Sequence, residues 1–184
     1  LEDPGLTVLP THRVLTTPLP SLTTIKDRLH DDFKIEDFPF QADTEPQARR
    51  ELIRILRSRG ASTHTFGLAL QGANAYVLLT LRSVHRIAGG TSPRDRLDVS
   101  ILHNQVLAPL LSSKSDEQAI LYTKDDDEAL DLVRQGRAHA ALILNPTKVS
   151  EVRDVAEAGE RMPHKSTYFF PKPLTGLVMN VFDE

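Results

Sequence analysis

No cysteine occurs anywhere in the chain. That excludes disulfides, a thiolate nucleophile and any thiolate metal site. It is compatible with a reducing compartment, and the expected location is cytoplasmic. Tryptophan is absent as well, and aromatic residues make up only 5%. The core must therefore be aliphatic, built from Leu, Val, Ile and Ala. A basic excess is missing too: 22 Lys and Arg stand against 25 Asp and Glu, for a net charge of -3. This argues against a general nucleic-acid binder, although a local basic patch stays open. No apolar run approaches the ~20 residues that a membrane-spanning helix requires.

Several chemical signatures are also lacking. There is no phosphate-binding Walker loop, no Gly-x-Ser-x-Gly elbow and no Gly-x-Gly-x-x-Gly turn. The histidines are His12, His30, His64, His85, His103, His139 and His164, and none forms the helical i, i+4 pair of a zinc site. Ser166 has no His and Asp partners in its neighbourhood of the sequence. The residues thus name neither a catalytic group nor a cofactor. The chain opens at Leu1 rather than Met, on a turn (Asp3-Pro4-Gly5) followed by a core-like segment. The expectation is a single domain over 1–184 that forms the C-terminal part of a longer protein, with Leu1 entering a larger sheet and leaving an apolar edge uncovered.

At 40% hydrophobic, the chain can bury a core. Leu6 to Val14 reads as one strand, broken at Pro10 if anywhere. Ser21 can cap a short helix to about Asp31, with Leu22, Ile25 and Leu29 on one face. Phe33 to Pro39 reads as a strand. Thr44-Glu45-Pro46-Gln47 fits a capping box, opening a helix over 45–59 that stops at Gly60. Its Arg49, Arg50, Arg54, Arg57 and Arg59 form either a phosphate-binding face or a solvated one, and the acidic total favours the solvated face. Gln71 to Asn74 joins strands 65–70 and 75–81 as a hairpin. Gly89-Gly90 marks a flexible point. Asp98 caps a helix over 98–111 that Pro109 kinks or ends.

Next comes a strand at 119–122, a helix at 125–135 and a strand at 138–144, the pattern of a βαβ unit at about 119–144. The acids Asp125, Asp126, Asp127 and Glu128 complement the positive helix N-terminus rather than holding a metal. Asn145 caps a further helix over 147–158, with Pro146 in its first turn. Strands follow at 167–170 and 176–182. The fold class is α/β, a mixed sheet with flanking helices.

The residues support one binding site, for an anion. A helix starting just after a strand presents free backbone N–H groups and partial positive charge, and here that start carries Asn145, Thr147 and Lys148. Lys165, Ser166 and Thr167 repeat the same donor types in a second segment, and Lys172 follows. Should the two segments meet, a phosphate or carboxylate would be held between them. His12 and Arg13, at a strand end, are further candidates, with His12 reading as a hydrogen-bonded structural histidine. No metal is expected.

Glu2 to Leu6, Leu9 to Arg13, Leu97 to Val99 with Leu102-His103, Leu144 to Thr147 and Met162 to Lys172 together resemble an uncharacterised prokaryotic family, the domain of unknown function DUF1015. The family's name assigns no activity. His164 departs from its pattern, where a smaller or amide residue is expected. Family members are longer, and their upstream part carries an Asp-Gly-His-His-Arg signature absent from this chain. That signature is similar to one in ParB-type nucleotide-using proteins, including free-serine kinases. The resemblance implies a downstream domain that binds a phosphorylated small molecule or nucleotide within a larger kinase-like protein, with the missing upstream segment as its partner. The competing expectation is a non-catalytic ligand-sensing or assembly module.

Overall fold

The computed structural model describes residues 7–87, 92–111 and 119–172. The expectations for Leu1, Gly89-Gly90 and the strand at 176–182 lie outside the described residues.

Six strands form one sheet. They are β2 (His12–Leu15), β3 (Phe33–Pro39), β4 (Thr65–Leu70), β5 (Ala75–Leu81), β6 (Ile120–Thr123) and β7 (Ala140–Ile143), in the order β3-β5-β4-β7-β2-β6. Every neighbouring pair is antiparallel. Because β6 and β7 both run antiparallel to β2, they are parallel to each other with β2 between them. Helix α4 (Asp126–Arg134) joins them, so the expected strand–helix–strand unit is present but split by a strand from the start of the chain. The remaining strands, β1 (Thr7–Leu9) and β8 (Tyr168–Phe170), pair as a separate two-stranded ribbon. Leu6 to Val14 is therefore not one strand. Pro10 has no N–H to continue a ladder, and the chain changes sheets there.

Two apolar clusters form, and strand alternation assigns them to opposite faces of the sheet. Leu15, Phe66, Leu68, Val77, Leu79, Ala140 and Leu142 belong to one cluster, with helix α1 (Leu22–Leu29), the 98–107 helix and Val155 of α5 (Val149–Glu157). Val14, Ala69, Tyr76, Leu78, Ala141 and Ile143 belong to the other, with α2 (Glu45–Gly60) and α4. The sheet is thus covered on both sides, which explains why β5 and β7 read as near-continuous apolar runs.

Caps account for most helix boundaries. Ser21 Oγ accepts the Thr24 N–H at 3.3 Å, as its position suggested. Asp125 caps α4 by accepting the Glu128 N–H at 3.0 Å. Three expected caps differ, that of Asn145 among them. Thr44 makes no cap bond onto α2; its Oγ1 accepts the Gln41 N–H instead, closing a local turn. Asp98 lies inside the first turn of α3 (Asp98–Ile101), and its carboxylate meets His64 Nδ1 at 2.7 Å. Residues Leu102–Leu107 continue α3 as a π-helical turn, with the Ala108 N–H reaching His103 O at 2.9 Å. The helix ends just before Pro109. No helix among the described residues is long and apolar enough to cross a membrane.

Candidate functional site

The alternation along β2 separates its polar residues. His12 and Val14 face α4, whereas Arg13 and Leu15 face the 98–107 helix. His12 is fully buried. Its Nδ1 accepts the Leu144 N–H at 3.1 Å, which puts the ring N–H at Nε2. Nε2 lies 2.9 Å from Asp126 Oδ1, at an angle short of a straight bond. Asp126 also takes two bonds from Arg57, at 2.7 and 3.0 Å. Burial pushes the Asp126 carboxyl up, but His12 and Arg57 outweigh it and hold the group below the usual carboxylate range. His12 is therefore a structural tie between β2, the end of β7 and the start of α4.

Asn145 and Lys148 are not placed as a helix N-terminal anion site. The helix α5 begins only at Val149, and Glu151 reaches back to the Lys148 N–H at 2.8 Å. A carboxylate of the chain already occupies that terminus. The Asn145 amide donates to Leu56 O at 3.2 Å and to Thr65 Oγ1 at 3.1 Å, and its Oδ1 accepts from Arg57. Asn145 thereby joins α2, β4 and β7. The Lys148 ammonium binds Ala61 O at 3.1 Å. Both residues line a small crevice beside Gly60, a different pocket from the one that Lys165 and Lys172 line.

This packing also explains Gly60. A Cβ there would sit 2.1 Å from Asn145 Nδ2. Gly60→Ala should therefore displace the Asn145 amide. The net loss should be about 2 kcal/mol, despite the ~1 kcal/mol that alanine normally gains over glycine in a helix. Urea denaturation checks this, and a neutral or stabilised variant would show that Asn145 relocates at no cost.

The two segments singled out for anion binding do meet. Thr147 Oγ1 donates to Ser166 O at 2.7 Å, and both residues are buried. Beyond that bond the candidates diverge. Lys165, Thr167 and Lys172 line a groove of about 690 Å³ together with Thr11, Tyr122, Lys124 and Tyr168. Lys124 lies 4.9 Å from the centre of the Tyr168 ring and Lys172 5.3 Å from it. None of the groove lysines makes an ion pair among the described residues, although Asp125 and Glu128 border the same space. Those acids are engaged locally: Asp125 caps α4, and Glu128 accepts the Thr123 hydroxyl. The Thr11 hydroxyl, buried at the groove's edge, has no hydrogen-bond partner among the described residues. Lys165 itself has φ of 55°, a left-handed conformation that side chains other than Gly adopt at a cost.

Arg13 lies between this groove and a second, smaller cleft. It is only 6% exposed, yet among the described residues its guanidinium donates to backbone carbonyls alone, Thr11 O and, at 3.1 Å, Lys165 O. The second bond fixes the turn that presents Lys165. Tyr122, the register partner of Arg13 across β2 and β6, stacks 5.3 Å from it. Lys124 and Tyr122 carry no signal of their own in the sequence. Only the antiparallel register of β2 with β6 brings them beside Arg13 and the 163–172 segment.

Residues 1–100 match the family described as Protein of unknown function (DUF1015). No curated protein matches the chain. Among solved structures, a variant of a free serine kinase in complex with AMP is 18% identical, with 91% of this chain and 55% of that one covered, at a TM-score of 0.44. A conserved hypothetical protein from Pyrococcus furiosus is 13% identical over 91% of this chain and 57% of that one, at a TM-score of 0.46. The chain thus spans little more than half the length of the solved proteins it matches.

Proposed function

We propose that the chain, which belongs to the DUF1015 family, binds a phosphorylated small molecule such as a nucleotide, its phosphate held in the lysine groove by Lys124, Lys165, Thr167 and Lys172. The observation that carries this reading is the convergence of Lys124, Lys165 and Lys172 on one groove with no ion pair among the described residues. Ammoniums brought together repel one another, and a bound anion relieves that repulsion. The Thr11 hydroxyl at the same groove, without a partner among the described residues, and the left-handed Lys165 backbone held by Arg13 both support a ligand there. Tyr122 and Tyr168 supply flat surfaces for an organic portion.

The role proposed is binding. The kinase expectation rests on an Asp-Gly-His-His-Arg signature that this sequence does not contain, so no step of phosphoryl transfer is assigned to its residues. Of the seven anion candidates read from the sequence, Lys165, Thr167 and Lys172 stay in the proposal. Thr147 and Ser166 hold the segment in place, and Asn145 and Lys148 serve the fold.

Calorimetry with inorganic pyrophosphate and with AMP tests the reading. Lys165→Ala should weaken binding by roughly 1.5–3 kcal/mol, the scale of a hydrogen bond to a charged group. Lys148→Ala should leave it unchanged. Equal affinities for the wild type and a Lys165→Ala, Lys172→Ala double variant would overturn the proposal. A chain that binds neither probe but self-associates would favour the assembly module.

A further inference from the structure

We infer that the cleft over Arg13, on the other side of the 163–165 turn from the lysine groove, is a separate site for a small oxyanion, a phosphate- or carboxylate-bearing molecule. The cleft has a volume of about 330 Å³, at the small end of the roughly 300–1,000 Å³ typical of ligand pockets. Arg13 from β2 forms its floor. Arg94, His103 and His164 come to it from three other segments, and Ser100 and Asn104 add neutral polar groups.

The unusual feature is the state of Arg13. The other well-anchored arginines of this fold are matched to acids: Arg49 to Glu45, Asp127 and Asp131, Arg57 to Asp126, Arg59 to Glu36. Arg13 is more deeply buried than any of them, and no carboxylate among the described residues pairs with it. A buried charge is ordinarily paired, because leaving it unpaired in a low-dielectric setting is costly. Its bonds to Thr11 O and Lys165 O orient the guanidinium but do not neutralise it. Asp95 also lines the cleft without forming an ion pair with Arg13 among the described residues. Burial accordingly pushes the Arg13 guanidinium down to about 10, partly offset by Tyr122. An incoming oxyanion supplies the missing counter-charge, and the planar guanidinium matches its oxygens.

The cleft wall fits the same purpose. His103 and Asn104 project from the π-helical turn, a helix irregularity found frequently at functional sites. Val99, Leu107 and Ile120 provide an apolar wall for a short organic body.

The experiment uses the full chain and two probes, inorganic phosphate and succinate. Side-chain NMR follows the Arg13 Nε–H signal, assigned by its loss in Arg13→Met. At least one probe should shift that signal saturably. A shift with phosphate alone assigns a phosphoryl ligand, and a shift with succinate alone assigns a carboxylate. Arg94 is exposed, so Arg94→Glu keeps the fold while reversing charge at the cleft mouth, and it should weaken the response at least tenfold. Lys172→Ala, in the other groove, should leave it intact. The inference is overturned by an Arg13 signal that neither probe moves, by a response indifferent to Arg94→Glu, or by a response lost with Lys172→Ala.

Discussion

Replacing Asp126 by alanine should destabilise the fold by about 2–3 kcal/mol, because the fully buried His12 N–H and the half-buried Arg57 guanidinium lose the carboxylate they share. The carboxylate serves two groups at once. His12 Nε2, fully buried, lies 2.9 Å away, and Arg57 makes two bonds of 2.7 and 3.0 Å. Alanine leaves the His12 N–H facing a void and Arg57 with only Leu144 O and Asn145 Oδ1. Asp127, one residue on, is a natural control. Its side chain is 74% exposed and meets Arg49 at 3.1 Å, so Asp127→Ala should cost less than about 1 kcal/mol.

Asp126→Asn separates charge from hydrogen bonding, since the amide oxygen can still accept. The direction of the pH effect follows from the carboxyl being held below its usual range. A depressed acid contributes stability that is fully present above its unfolded value of ~3.9 and is lost as pH falls through the depressed value. Wild-type stability should therefore fall on acidification below about pH 4, and the Asp126→Asn profile should fall less steeply there. Urea midpoints across that range check it. A variant with the wild-type slope would show that Asp126 does not carry the dependence.

The same cluster shows what could be read from the sequence and what could not. The helix over 45–59 was legible because Ala48, Leu52 and Leu56 recur on one face, although Gly60, read as its stop, is still helical and Ala61 forms the C-cap. The hairpin at 65–81 was legible because Gly72 and Asn74 stand between two apolar runs. These are local signals, and the local period sets them. The placement of His12 was not legible, because it depends on β2 lying between β6 and β7, a pairing across more than a hundred residues. Pro10 announced a break but not that the chain would leave one sheet for another. Asn145 precedes a proline and a helical pattern, so it reads as an N-cap, but Glu151 claims the helix start and frees the amide for Leu56 and Thr65. For the groove, Lys165, Thr167 and Lys172 stood out by their own chemistry. Lys124 was hidden beside an acidic run, and its position over Tyr168 follows from the antiparallel ladder of β2 with β6 and the ribbon of β1 with β8.

The arginine-rich face of α2 leads to the second large expectation. Read alone, five arginines on one helix suggest a phosphate face or a solvated one. Read alone, Asp125 to Glu128 suggest helix-dipole complements. In the fold the two runs meet. Arg49 bonds Glu45 at 2.8 Å, Asp131 at 2.7 Å and Asp127 at 3.1 Å. Burial works against its charge, but these three carboxylates outweigh it and raise the guanidinium above its ordinary value. Glu45 is itself buried and accepts the hydroxyl of the fully buried Tyr76, whose phenol is pushed up first by burial and then by that acid. Arg49→Met keeps the length and apolar stem of the side chain but removes the charge that holds these acids together. Glu45 would then be a buried carboxylate facing Asp131 with no cation between them. The expected cost is about 3 kcal/mol, a fall in Tm of roughly 6–12 °C for a chain of this size. Most of it should come from Glu45, since Asp127 is largely exposed and contributes little. A double variant that adds Glu45→Gln should regain a substantial part of the loss, because the uncompensated buried charge is gone. If Arg49→Met costs less than about 1 kcal/mol, or Glu45→Gln restores nothing, then the α2 face is a solvated surface after all and α4 is held to it by apolar packing alone.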